Sequence, residues 1–472
     1  MLAKQASGSE KDRGSYGLEW RGAAGISGET PFWIHSNRHG DFDRYSANTT
    51  LNMFGSRRHE LDFGLQLEAG GNLLFRGADD ATVWFQEAYV QASYRGFYLR
   101  GGRKREDLGM VPRDLSMGTV DLSHNARPMP KIIAGTKEFM HVPGTSGVLH
   151  VDAALAHGWM RDSEFRRVQD PYLHQKHLYI RFFSEYAPVV ILGGIKHFTQ
   201  WGGESPRHGP LPSDFAAYWD VFFSRTPNSV EILSGGRLNN AFQNHVGSYD
   251  FALMFNHDRY RLKLSRQFIL EDTPNARFGT PFDGMWGATL ELRPDVFTSW
   301  RSKPDRERPT AHRPLLEAVH YAYLDTKEGI DRYEYRDINT YFNYYGHRIY
   351  QGGWTYQGRA IGNPLFFSDP DYISVVNNVL IAHHFGANGY IGPVDWKFYT
   401  TYSRNYGATT YRPREGVEAD PMNSRRDQWS FLLETHADIL HPSVELGLAL
   451  AIDAGEVYNT NPGLMLSVRW TR

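Results

Sequence analysis

The sequence predicts an all-β chain closed into a single transmembrane antiparallel β-barrel of about 18 strands, with long outer loops and at least one short loop helix. Three observations carry this. Apolar and polar residues alternate at period two along most of the chain. Aromatic residues gather at the ends of those stretches. The connections between them alternate between short and long.

The alternation is clearest near the C-terminus. There Val444, Leu446, Leu448, Leu450 and Ile452 alternate with Ser443, Glu445, Gly447, Ala449, Ala451 and Asp453, and Leu464, Leu466, Val468 and Trp470 stand opposite Met465, Ser467 and Arg469. Leu61, Phe63, Leu65 and Leu67 likewise face away from Asp62, Gly64, Gln66 and Glu68. Residues 178–182, 251–256, 260–265 and 286–293 repeat the pattern. In a soluble sandwich the oily face meets a second oily sheet; in a membrane barrel it meets lipid, and the other face lines the lumen. Arg, Glu, Asp and Lys recur on the other face here, as a hydrated lumen requires. Trp84, Phe85, Phe97, Tyr98, Trp286, Trp396, Trp429 and Trp470 sit where girdles at the two membrane interfaces belong.

Short links are expected at 55–57, 95–96, 184–187, 257–258, 392–393 and 440–442, and long ones at 25–44, 105–129, 199–245, 326–374 and 405–426. An even strand number places both termini on the short-turn, periplasmic side. Residues 294–313 strain the scheme, because a long charged stretch falls where a short turn is due. Asn388-Gly389 resembles a hairpin turn inside what is read as one strand. A helix is expected in the loop after 199: Ser213 can cap it, and Phe215, Tyr218, Trp219 and Phe222 follow at i, i+3, i+4 and i+7. It is read as a loop stiffener at the barrel mouth or in the lumen.

Composition agrees. The 472 residues are 41% hydrophobic and 14% aromatic, with a mean hydropathy of -0.52. Many aromatics in a polar chain suit strands with one wet face. A net charge of -2 gives no global pull toward nucleic acid. The absence of cysteine excludes disulfides, thiolate metal sites and cysteine nucleophiles. No stretch approaches the roughly 20 consecutive apolar residues of a transmembrane helix. Residues 1–13 are polar, lack the apolar core of a secretion leader and are expected to form a disordered N-terminal segment before the barrel of 14–472. The leader is read as already removed, and the expected location is the outer membrane of a Gram-negative cell.

The standard catalytic and phosphate-binding motifs are absent, so the chain is expected to be no enzyme and to hold no cofactor or metal. The pairs Asp41/Asp43 and Asp79/Asp80 are read as turn residues. What remains is a set of loops rich in aromatics, arginine, histidine and amides: His197-Phe198-Thr199-Gln200-Trp201-Gly202-Gly203, Gly352-Gly353-Trp354-Thr355-Tyr356-Gln357-Gly358-Arg359 and Tyr402-Ser403-Arg404-Asn405-Tyr406. Flat aromatic faces stack on sugar rings, while amides and guanidinium groups bond hydroxyls and carboxylates.

These segments, with Ser123-His124-Asn125-Ala126-Arg127-Pro128-Met129-Pro130 and Asn244-His245-Val246-Gly247-Ser248-Tyr249-Asp250-Phe251, resemble the Wzi family of capsule-assembly proteins, and most closely its branch in Bacteroidetes. The resemblance runs from about Gly17 to the C-terminus. Unlike the enterobacterial type, this sequence is expected to lack a helical bundle before its first strand. The resemblance implies an outer-membrane barrel of about 18 strands acting as a lectin that binds exported capsular polysaccharide and anchors it at the cell surface. Trp201, Trp354 and Tyr356 are then the expected stacking platforms. Arg127, Arg359 and Arg404 are expected to pair with acidic sugars, and Gln200 and His197 to donate hydrogen bonds. Expected partners are capsular or other surface polysaccharide, outer-membrane lipid and lipopolysaccharide, and a polysaccharide export complex, with no nucleic acid. The alternative is a diffusion channel, a porin for sugars or ions; a third reading is a glycan hydrolase.

Overall fold

Period-two alternation makes strands, and a strand with an oily and a wet face can span a bilayer only when every backbone group is paired. A computed structural model describes residues 12–225, 242–271, 277–292, 314–328, 343–369, 373–408 and 425–472. Its strands are β1 (Asp12–Gly25), β2 (Asn48–Glu60), β3 (Gln66–Gly77), β4 (Ala81–Tyr94), β5 (Phe97–Arg103) and β6 (Lys131–Thr136). After β6 come β7 (Leu149–Trp159), β8 (Tyr172–Phe182), β9 (Val189–Trp201), β10 (Gln243–Asn256), β11 (Tyr260–Leu270) and β12 (Gly284–Leu292). The last six are β13 (Ala318–Asp325), β14 (Leu380–Ile391), β15 (Val394–Asn405), β16 (Arg426–His441), β17 (Val444–Gly455) and β18 (Asn461–Thr471). A short continuation of β6, Met140–His141, also pairs with β7.

Each strand is antiparallel to its neighbours in sequence, and β1 pairs with both β2 and β18. The sheet therefore closes on itself and leaves no edge. The expected 18-stranded barrel is what forms. Asp12 and Thr471 lie at the same end as the turns at 61–65, 95–96, 257–259 and 392–393, the periplasmic end of such a barrel. β1 already begins at Asp12, two residues before the expected start of the barrel; the rest of the expected disordered segment lies outside the described residues. The charged link at 294–313 also lies outside them. Asn388 and Gly389 continue β14, pairing with Lys397 and Trp396.

One turn is corrected. Residues 55–57 sit inside β2, paired on one side with β1 and on the other with β3. The chain reverses instead at 61–65, where the Leu61 N–H donates to the Leu65 carbonyl and Gly64 adopts φ +86°. Pairing on both flanks outweighs the local turn chemistry of Gly-Ser-Arg, whereas a positive φ at position 64 suits glycine.

The oily face looks outward. Leu446, Leu448, Leu450 and Ile452 on β17 and Leu464, Leu466 and Val468 on β18 all stand on the outer surface, Leu450 being 49% exposed. Phe97 and Trp470 border the periplasmic end of this belt, and Phe85, Trp286 and Trp429 the other. Trp84 departs from the girdle and turns inward, donating to Gln86. An oily belt around a closed barrel is a lipid-facing surface, and the chain is a transmembrane barrel of the outer-membrane type. Leu450→Arg, near mid-belt, is expected to cost about 2–4 kcal/mol, read as a lowered denaturant midpoint for unfolding from lipid vesicles.

The expected hydrated lumen is corrected in its upper part. The main apolar cluster of the molecule lies inside the barrel, where Phe32, Trp33, Phe42, Met117, Tyr344, Trp354 and Phe366 from the loops pack against Leu173, Phe198, Leu324, Tyr399, Leu432 and Met465 from the wall. Inward positions are small where the loops press closest. A side-chain carbon added at Gly386 would stand 2.2 Å from the Leu115 carbonyl oxygen.

Candidate ligand-binding site

Three loops build the plug: 26–47, 104–130 and the described parts of 326–379. The first carries a short helix, α1 (Phe32–His35), with all four side chains buried. Its first free N–H, on Phe32, donates to the Asp453 carboxylate of β17 at 2.8 Å, and Trp33 donates to Thr401 of β15 at 3.1 Å. An orphan helix-terminal donor is thus satisfied by the wall. Asp41 is no solvated turn residue, as read from the sequence. It is buried, accepting from Gln86 at 2.7 Å and pairing with Arg21 at 2.7 Å.

The second loop is pinned by a buried ion pair. Lys196 of β9 points inward with its Nζ 2.5 Å from Asp121 and 3.4 Å from Asp250 of β10. Ser248 donates to Asp121, and Tyr179 and Gln267 donate to Asp250. The third loop meets the second where Trp354 donates to the Asp121 carbonyl at 2.7 Å and Tyr345 to the Val120 carbonyl.

At the mouth, these loops leave a cavity of about 180 Å³ lined by Arg44, Arg76, Arg127 and Arg359, with Asp43, Tyr45, Gln357, Phe367 and Tyr458 among its other walls. Its lining comes from loops at the end opposite the termini and from Arg76, next to the last residue of β3. Arg359 is presented by a two-residue hairpin, Thr355–Tyr356 against Arg359–Ala360, whose tip has φ +52° at Gln357 and +72° at Gly358. Both central residues at positive φ is the turn that matches strand twist. Gln357 tolerates it because its N–H donates to Asp162 at 2.9 Å, and Asp162 is itself held by the buried Arg166.

Among the described residues the arginines are short of anions. Arg127 has no carboxylate within ion-pair distance among the described residues; its guanidinium lies 3.7 Å from the centre of the Trp84 ring. Arg76 lies over the same ring at 5.2 Å, with Asp43 at 3.9 Å. Arg359 spends its donors on the carbonyls of His35, at 3.2 Å, and Phe42. Arg44 has Glu29 at 3.8 Å. Gly40 separates two of the stems: a side-chain carbon there would come within 3.0 Å of Arg127 and 3.5 Å of Arg359. Burial, followed by the like charges of Arg76 and Arg359, pushes Arg127 down to about 10. Arg359 is also pushed down to about 10, by burial first and then by Arg76 and Arg44 against the opposing pull of Asp43. A cup that disfavours its own charge is one that an anion would stabilise. Planar guanidinium forks suit a carboxylate, phosphate or sulfate, and Tyr45, 52% exposed at the rim, offers a ring face.

The eight residues expected to contact sugar separate into four places. Arg127 and Arg359 line the cup together. Tyr356, Trp354 and Gln200 are buried in or against the plug, Gln200 donating to the Gly353 carbonyl at 3.2 Å. His197 and Trp201 lie on the outer face of the wall, beneath a helix, and Arg404 points outward from β15 beside Tyr402. The buried rings of Trp201, Trp354 and Tyr356 leave no face for a sugar to stack on. Arg44, Tyr45, Arg76 and Tyr458 were not legible as site residues, since each is a lone side chain in its own stretch. Among the described residues no group of three or more metal-ligating side chains is gathered.

Among solved structures, this chain is similar to Wzi of Escherichia coli, an outer membrane protein involved in group 1 capsule assembly and a carbohydrate-binding β-barrel. The identity is 14%, the TM-score 0.58, and the alignment covers 96% of this chain and 83% of that one. It also aligns with OpdQ of Pseudomonas aeruginosa at 8% identity and a TM-score of 0.47, over 98% of this chain and 99% of the other. OpdO of the same organism aligns at 10% identity and 0.45, over 98% and 97%. No family model and no curated protein matches the sequence. At these identities the likeness to Wzi shows a shared barrel fold.

Proposed function

We propose that the chain is a non-catalytic surface lectin that holds an acidic polysaccharide at the outer membrane, with the arginine cup as its recognition site. The carrying observation is four arginines around one mouth-facing cavity with, among the described residues, too few carboxylates paired to them to neutralise them. The ligand class follows from the chemistry: a sugar polymer bearing uronate, phosphate or sulfate groups, gripped at one acidic residue and repeated along the strand. Many weak contacts then add by multivalency. This is the capsule-anchoring role that the Wzi resemblance implies, carried here by a residue set that shares Arg127 and Arg359 with the one read in the sequence. The packed plug favours it over a diffusion channel, which requires a continuous water path through the lumen.

The test is Arg127→Gln. Losing a charge-assisted hydrogen bond costs about 1.5–3 kcal/mol, so affinity for a uronate-bearing polysaccharide should fall by about 10- to 100-fold. Thermal stability in detergent should hold within about 1 kcal/mol, because only a cation–π contact is lost. Equal binding by wild type and variant, or equal binding of acidic and neutral polymers, would sink the proposal. Incubated polymer should keep its length.

A further inference from the structure

A second helix, α2 (Phe215–Phe223), lies outside the barrel wall. We infer that it is a lipid-bound helix whose aromatic face sits among the acyl chains of the outer leaflet and completes an oily belt that β8 and β9 leave short. Asp214, one residue beyond the expected Ser213, caps it by accepting from the Ala217 N–H at 2.8 Å.

Strand alternation fixes the side of the wall. On β9 the even positions Val190, Leu192, Lys196 and Gln200 are buried inward, so His197, Thr199 and Trp201 point to the exterior. On β8, Tyr179 and Gln175 point inward and His174 and Lys176 outward. Yet His174, His197 and Thr199 are buried. Their cover is α2. The Phe222 ring stands 5.7 Å from His174 and 4.4 Å from the Lys176 Nζ, and Ser224, just beyond the helix, bonds His197 at 3.2 Å.

The belt explains the arrangement. Counted from the periplasmic turn, β17 presents apolar side chains at five successive outward positions, Val444 to Ile452. β8 presents Phe182, Ile180 and Leu178 and then turns polar at Lys176 and His174. The shortfall is two outward positions, about 13 Å along a strand and about 10 Å of height at the usual tilt. A helix lying flat is about 10–12 Å thick. One side of α2 roofs the polar row. The other presents Phe215, Trp219 and Phe223, 73%, 41% and 53% exposed, at i, i+4 and i+8, with Trp219 stacked on Phe223 at 5.7 Å. This stripe continues the lipid-facing surface above Leu178 and Ile195, which are paired across β8 and β9. An amphipathic helix so placed lies in the membrane interface with its apolar side toward acyl chains.

The chain has no cysteine, so single-cysteine labels are unambiguous. Trp219→Cys and Phe223→Cys, nitroxide-labelled in the full chain and reconstituted in phosphatidylethanolamine–phosphatidylglycerol vesicles, should collide more with oxygen than with a water-soluble nickel chelate. Leu450→Cys is the lipid control and Tyr45→Cys the aqueous one. Heat-modifiable gel mobility certifies the fold of each variant. Chelate preference at 219 and 223, with Leu450→Cys still oxygen-preferring, overturns the inference. Brominated-chain lipid gives a second reading: it should quench more emission from wild type than from the conservative Trp219→Phe, and equal quenching overturns the inference as well.

Discussion

Lys196→Met is expected to lower the unfolding free energy by about 3–5 kcal/mol, the usual loss when one partner of a buried ion pair is removed. Lys196 is 0% exposed and is shared by Asp121 of the plug and Asp250 of the wall. Methionine fills the volume of the stem but leaves two buried carboxylates without a cation. The hydroxyls of Ser248 and Tyr179 still donate to them, which sets the loss within that range. Because the pair joins a loop to a strand, part of the loss should appear as release of the plug. Adding Asp121→Asn to Lys196→Met should recover some of the stability, since the amide carries no charge to bury. Urea unfolding from lipid vesicles measures both. A loss below about 1 kcal/mol for the single variant would mean that the plug is not held by this pair.

Trp354→Ala should cost about 3–5 kcal/mol, as for other large-to-small changes in a packed core. The indole is 0% exposed, packs on Phe198 and donates to the Asp121 carbonyl. Truncation opens a void at the junction of two plug loops and orphans a carbonyl that the indole had satisfied. In planar bilayers the wild type should be closed or nearly so, and Trp354→Ala should open intermittently as the plug loosens. Steady wild-type conductance of porin size would instead favour the channel. The same variant warns against one reading of its phenotype. Polysaccharide retention lost on Trp354→Ala reports a collapsed plug, whereas loss on Arg127→Gln with unchanged stability reports a lost contact.

The fold was largely legible, and so was the lipid face of the last strands. Val444 to Ile452 state their lipid face outright, because an oily row at period two has one way to be useful in a bilayer. The long connections at 25–44 and 105–129 were legible too. The turn at 61–65 was not, since Leu61, Phe63 and Leu65 continue the alternation through the reversal. The dry interior was written only faintly, in the small inward residues Gly447, Ala449 and Ala451. Such a row reads equally as room for water or room for a plug.

The candidate site was legible in kind and only in part in membership. Arg127 and Arg359 belong to stretches that looked functional, and they meet in one cup. Trp201, Trp354 and Tyr356 looked functional for the same reason, rich aromatic loops, and are spent on packing. By itself the sequence determined the barrel, its closure and its orientation, because strand periodicity is local and every pair of neighbours repeats the same constraint. Only the tertiary structure decided that Arg44, Arg76, Arg127 and Arg359, drawn from four separate stretches, crowd together while the indoles go under. Which loop side chains meet depends on how those loops fill the lumen, and that is settled by the competition for buried volume among segments far apart in the chain.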